Sequence, residues 1–180
     1  MHAALTKFGV VAGKPLPIKD KFIIGLIVFF TAIAMTLEGY WLIFNQVMES
    51  RTDIFAKILA LYWPADYTYR IAGYPPEKSF TLALEGVNTL ITPWLSFLLI
   101  WAIVKSKPYR YPLQLGIATY TFYGTLLYYL VAHISGYAVF ANHDPYPYLL
   151  FYLANLPWFA AYGWMSWDAY RAITRRYGSD

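Results

Sequence analysis

The sequence predicts an all-α, polytopic membrane protein: a bundle of four transmembrane helices with an aromatic-rich cap loop between the first and the second. Three observations point there. Of the 180 residues, 59% are hydrophobic, 21% aromatic and only 13% charged, a charged fraction about half that of an ordinary soluble domain. Four runs stay apolar for longer than the roughly 18 residues that a membrane helix needs. The basic residues gather in alternate links between those runs, as the positive-inside rule requires of a polytopic chain. One small core could not hide 7 Trp, 18 Tyr and 12 Phe along with the aliphatic residues, so much of that surface faces something other than water. The composition excludes disorder, and the lack of cysteine excludes disulfides, Cys-ligated zinc, iron–sulfur and thiol chemistry.

The first span covers about 22–44 and its only charge is Glu38. The second, about 79–104, again carries a single charge, Glu85, and is closed by Lys105. The third, about 112–134, contains no Asp, Glu, Lys or Arg, only Gln114 near its start and His133 at its end. The fourth, about 146–170, is uncharged until Asp168. Helices are expected because only helices and closed barrels satisfy backbone groups in hydrocarbon, and the ten-residue alternation of a barrel is absent. Tails at 1–20 and 174–180 flank a membrane domain at 21–173. Lys7, Lys14, Lys19 and Lys21 precede span one, Lys105, Lys107 and Arg110 follow span two, and Arg171, Arg175 and Arg176 follow span four. That side, with both termini, is expected to be cytosolic. The link at 45–78 carries Trp63, Tyr67, Tyr69, Tyr74 and the pair Pro75–Pro76, too aromatic for a free tether. It is expected to cap the bundle from the membrane surface, with a short amphipathic helix around 53–62. The net charge of +4 comes without a basic patch interleaved with exposed aromatics, so the bilayer rather than nucleic acid is the implied partner.

A carboxylate inside hydrocarbon costs about 2.5–3.5 kcal/mol near a helix centre, so an intramembrane acid marks a functional site by default. Span one runs outward and span two inward, which brings Glu38 and Glu85 to a similar depth. Asn155, one turn before Trp158, and His133 fall in the same slab. Glu85, Asn88 and Thr92 share a face of span two at i, i+3 and i+7, and Thr121, Thr125 and Tyr128 share one of span three. A partly polar cavity follows, holding an acid and a base side by side, which suits moving a proton within an apolar substrate. The indole of Trp158 would stabilise a developing carbocation by cation–π attraction.

These residues stand in an ordered set: Leu37-Glu38-Gly39-Tyr40-Trp41, Phe80-Thr81 followed by Glu85 and Pro93, Leu113-Gln114-Leu115, Tyr123-Gly124, Leu127-Tyr128, His133, Gly136-Tyr137, Asn155-Leu156-Pro157-Trp158 and Asp168-Ala169. In that order and spacing the chain resembles the emopamil-binding protein group, the sterol Δ8–Δ7 isomerases and their EXPERA-domain relatives, which include the sigma-two receptor. The resemblance implies a sterol-like substrate among the helices, protonation of a ring alkene, a carbocation, and loss of a neighbouring proton, with no cofactor and no metal. It implies catalytic roles for Glu38 and Glu85, with Asn155 and Trp158 holding the cation. Asn88 falls where the family has a hydroxyl residue, Tyr74 matches a cavity tyrosine of the linking loop, and Thr92, Tyr123, Thr125 and Tyr128 complete the substrate-binding set. It also points to the endoplasmic reticulum, and a homodimer is a candidate assembly. Ala34 stands one turn before Glu38, where sterol isomerases carry a His, and can neither donate nor accept a proton. That departure favours a divergent isomerase or isomerase-like cyclase acting on a terpenoid or polyketide intermediate. The competing expectations are a non-catalytic sterol-binding protein of the sigma-two type and, more weakly, an ion or proton transporter, which would need repeats or broken helices that the sequence does not display.

Overall fold

The computed structural model describes residues 15–140 and 144–177, apart from the side chains of Glu77 and Tyr177. Most of the expected N-terminal tail, 1–14, and the end of the C-terminal one, 178–180, therefore lie outside the described residues. Every regular element among those described is helical. α1 (Ile18–Ile33) continues through a π-helical stretch (Ala34–Glu38) into α2 (Gly39–Phe44). A link containing α3 (Ile54–Ala60) leads to α4 (Pro76–Leu90) and α5 (Thr92–Val104), one rod interrupted at Ile91. α6 (Arg110–Ile134) and α7 (Pro145–Tyr177) complete the chain as a long antiparallel pair.

Three rods, Ile18–Phe44, Lys78–Val104 and Arg110–Ile134, are long and apolar enough to cross a membrane. α7 is longer, at 33 residues, but is diluted by tyrosines, Asn155 and the polar end from Asp168 onward. The surface is that of an integral membrane protein: Phe22, Phe29, Ile43, Trp94, Leu98 and Leu153 are exposed, an arrangement that water would penalise and lipid does not.

Local chemistry sets the helix ends. Pro17 precedes α1 and Pro75–Pro76 open α4, where proline's missing N–H costs nothing. Asp53 caps α3, its carboxylate accepting from the Ala56 amide at 3.3 Å. α6 stops where Gly136 and Tyr137 turn left-handed, at φ 61° and 59°, and the Tyr137 amide closes back on the Ala132 carbonyl at 2.7 Å.

The two ends of the bundle differ in composition. At one, Ile23, Ile27, Phe30, Leu99, Ile103, Ile117 and Met165 form a continuous apolar core. It is sealed by Arg110, which grips the buried Asp20 with two hydrogen bonds of 2.9 and 2.6 Å. Here the first helix already begins at Ile18, ahead of the span start expected at 22, because Asp20 has a partner. At the other end the link folds inward: Trp41 donates to the Tyr69 carbonyl at 3.0 Å, and Lys78 is fully buried with its ammonium on the carbonyls of Asn45 (2.8 Å) and Ile71 (2.6 Å).

Candidate active site

Glu38 owes its position to the π stretch. In the widened turn the Gly39 amide reaches back five residues to Ala34 O, which also accepts from the Thr89 hydroxyl of α4 at 3.2 Å. Gly39 permits that approach, since a β-carbon there would lie 3.2 Å from Thr89 Cγ2. With α4 this close, Glu38 meets Glu85 side chain to side chain and reaches the Asn88 amide. Glu85 is buried and both of its oxygens accept: Oε1 from the Tyr69 hydroxyl, Oε2 from Asn88 Nδ2 at 3.3 Å. Glu38 Oε2 is buried and has no hydrogen-bond partner among the described residues.

Glu38, Leu84, Glu85, Asn88, Thr121, Thr125, Tyr128, Asn155 and Trp158 line one small cavity of about 40 Å³. Thr121 and Thr125 donate to the carbonyls of Ile117 (2.9 Å) and Thr121 (3.2 Å) on their own helix. The Tyr128 hydroxyl donates to Asp66, and Asn155 Nδ2 is committed to Tyr62 Oη (2.9 Å) and Phe151 O (2.8 Å). The hydrogens on this side are thus spent away from the cavity, and the wall offers it lone pairs, including Asn155 Oδ1. Trp158 lies on Phe30 (ring centroids 4.3 Å apart) and stacks with Tyr162 (5.9 Å), so its ring is fixed beside those lone pairs. Pro157, between Asn155 and Trp158, lacks the amide hydrogen that would bond one turn back.

The sequence reading missed three groups that the link delivers here. Asp66 is 1% exposed; its Oδ1 accepts from the Thr68 amide (2.9 Å) and hydroxyl (2.6 Å), and its Oδ2 from Tyr128. Burial pushes its carboxyl up to about 6, against the hydrogen bonds of Thr68 and Tyr128, which hold it down. Burial likewise pushes the phenols of Tyr62 and Tyr69 upward, so both stay protonated donors. The available signal was the Asp-x-Thr spacing of an Asx turn set in the apolar run Trp63-Pro64-Ala65; read by charge alone, Asp66 merely balances the basic residues of the link.

Four expected positions stand elsewhere. Thr92 does not share the face of Glu85 and Asn88, because the break at Ile91 interrupts the register; its hydroxyl instead donates to Val87 O (3.2 Å) and accepts from Tyr120 (2.8 Å) at the break. Tyr123, two residues from both Thr121 and Thr125, falls on the opposite side of α6 and is 56% exposed. Tyr74 is 70% exposed, carried outward after the left-handed Gly73. His133 is exposed, its Nδ1 3.4 Å from the Tyr137 hydroxyl.

Residues 54–169 match the model of the EXPERA (EXPanded EBP) superfamily. The chain is 33% identical over 118 residues to an isomeliandiol synthase of Ailanthus altissima, covering 66% of this chain and 53% of that one. It is 33% identical over 122 residues to a probable 3-beta-hydroxysteroid-Delta(8),Delta(7)-isomerase of Arabidopsis thaliana, covering 68% and 52%. To the 3-beta-hydroxysteroid-Delta(8),Delta(7)-isomerase of Rattus norvegicus it is 23% identical over 145 residues, covering 80% and 61%. The chain spans about half the length of the two plant relatives.

Proposed function

Because the chain belongs to the EXPERA superfamily, we propose that it is an intramembrane, cofactor-independent isomerase of a sterol-like or terpenoid lipid, moving a double bond or guiding a cyclisation by proton transfer. One observation carries this reading: two carboxyls meet in a small cavity whose remaining wall presents lone pairs and an indole. Glu85, with donors on both oxygens, is the carboxylate of the pair; Glu38, whose Oε2 has no donor, is the acid. Glu38 gives its proton to one alkene carbon, the π electrons form the new C–H bond, and the adjacent carbon is left cationic. Glu85 then takes a proton from a neighbouring carbon, whose C–H electrons become the new double bond. Contact between the carboxyls returns the proton to Glu38 and resets the site. Meanwhile Asn155 Oδ1 and the face of Trp158 stabilise the cation, and Asn88, Thr125 and Tyr128 complete the substrate-facing wall.

A cavity of about 40 Å³ holds water-sized groups, whereas pockets for small-molecule ligands run to about 300–1,000 Å³. Substrate binding therefore parts the helices, and each irregularity near the site, the π stretch at 34–38, the interruption at Ile91 and the proline at 157, is a place where they can yield. We infer further that α7 is the fourth membrane crossing, that the 45–75 link caps the site on the non-cytosolic side, and that both termini face the cytosol of an endoplasmic-reticulum membrane.

The small cavity and Ala34 favour one second reading, a lipid-binding protein without turnover. Incubating the full chain in lipid nanodiscs with a Δ8-unsaturated sterol and with a tetracyclic triterpenoid alkene, in deuterated water, separates the two. Isomerisation puts deuterium on a product carbon and is lost in Glu85→Gln; recovery of both lipids unlabelled and unshifted rejects catalysis on them in favour of binding.

A further inference from the structure

Asp66 lies outside the cavity, yet it ends a one-way chain of hydrogen bonds that lines it. Asn155 Nδ2 must be a donor, because its second partner, Phe151 O, can only accept. Tyr62 Oη receives that nitrogen at 2.9 Å and stands 3.5 Å from Tyr128 Oη. Tyr128 in turn donates to Asp66 Oδ2. Asp66 cannot turn its carboxylate, because Oδ1 is held by the amide and hydroxyl of Thr68, whose oxygen also lies 3.1 Å from Thr81 Oγ1 on α4. A carboxylate has no hydrogen to give, so the chain can run in only one direction, toward Asp66.

Resting on the isomerase reading above, we propose that Asp66 is a positioning residue: by accepting from Tyr128 it turns that hydroxyl's hydrogen out of the cavity and leaves the lone pair not taken by Tyr62 facing the cationic carbon. The consequence is specific to an acceptor at this atom. In Asp66→Asn, Thr68 keeps the amide oxygen where Oδ1 was, and the NH2 group faces Tyr128. Tyr128 then receives a hydrogen from residue 66, and its own must swing toward Tyr62 or the cavity. Either way the hydroxyl dipole turns against positive charge in the site.

The test is a double-mutant cycle on the full chain in lipid nanodiscs. The probes are a steroid carrying a tertiary ammonium at the ring position of the cation and its neutral carbon counterpart; the readout is the ratio of their affinities. The unsubstituted protein prefers the ammonium steroid. Asp66→Asn lowers that preference about tenfold, as expected for one charge-facing hydrogen-bond group, and Tyr128→Phe lowers it as far. In the Tyr128→Phe background Asp66→Asn changes nothing more, because no hydroxyl remains to be turned. Equal effects of Asp66→Asn in both backgrounds would mean that its charge acts through space, and would overturn the proposal while leaving the isomerase reading intact. Should Asp66→Asn not fold, Tyr128→Phe alone decides, since full retention of the preference with Asp66 in place also overturns it. No preference in the unsubstituted protein removes the cation-stabilising site itself, and this inference with it.

Discussion

The end of the bundle sealed by Asp20 and Arg110 and the end filled by the 45–75 link handle buried polarity in opposite ways. At the first, the acids are met by cations: Asp20 by Arg110, and Asp168 by Lys19 at 2.8 Å, while Gln114 ties α6 to the Met165 carbonyl at 2.9 Å. At the second, Glu38, Glu85 and Asp66 are gathered with no basic side chain among the described residues bonded to any of them, and hydroxyls and amides do the neutralising. The nearest buried cation, Lys78, bonds carbonyls instead. An ion pair fixes its partners and leaves no proton to move. Carboxyls held by neutral donors keep theirs exchangeable, so the first end suits rigidity and the second the proton transfer proposed above.

The largest effect that separates the two ends comes from Glu38→Gln. Turnover, followed by product formation in nanodiscs, should fall about 10³-fold or more, the scale of a lost general acid, with little change in melting temperature. Arg110→Ala should do the reverse: stranding Asp20 costs about 3–5 kcal/mol of stability, read as a lower thermal midpoint in micelles, with turnover per folded molecule retained. Acidity sharpens the contrast within the link itself. Asp66, pushed up to about 6 from 3.8, contributes stability that is fully present below about pH 4 and lost as pH rises through 6, about 3 kcal/mol in all. Asp53, held down to about 2 chiefly by the Tyr40 hydroxyl, has the opposite sign: its contribution is present above about pH 4 and fades as pH falls toward 2. Melting curves across pH 2–8 should lose the upper slope in Asp66→Asn and the lower one in Asp53→Asn. The smallest effect belongs to Gly39→Ala. Its methyl would press on Thr89 Cγ2, easing α4 away and cutting turnover about tenfold, whereas stability should shift by under about 1 kcal/mol because alanine favours the helix.

Much of this architecture was legible in the chain. Long apolar runs with a single acid each, Glu38 and Glu85, were enough to place two carboxyls at one depth, and i, i+3 spacing was enough to add Asn88, Thr125 with Tyr128, and Asn155 with Trp158. What failed was periodicity carried across irregular backbone. Thr92 obeys i+7 from Glu85, but Ile91 breaks the repeat between them. The π stretch at Ala34–Glu38, which turns Glu38 toward α4, leaves no mark in the hydropathy pattern. Tyr123 followed family order rather than helical phase. The link was hardest, because Asp66 and Tyr69 reach the site through an Asx turn and a 3-10 turn, Tyr67–Tyr69, whose direction no spacing rule supplies.

The lone-pair wall also decides what the cavity refuses. Free fatty acids and steroid sulfates, both at home in the same bilayer, would bring a full negative charge against the Glu85 carboxylate, three hydroxyl oxygens and an amide oxygen. A neutral hydrocarbon skeleton meets no such repulsion, so under the proposed mechanism the site would sort its guests by the charge they will acquire rather than the charge they bring.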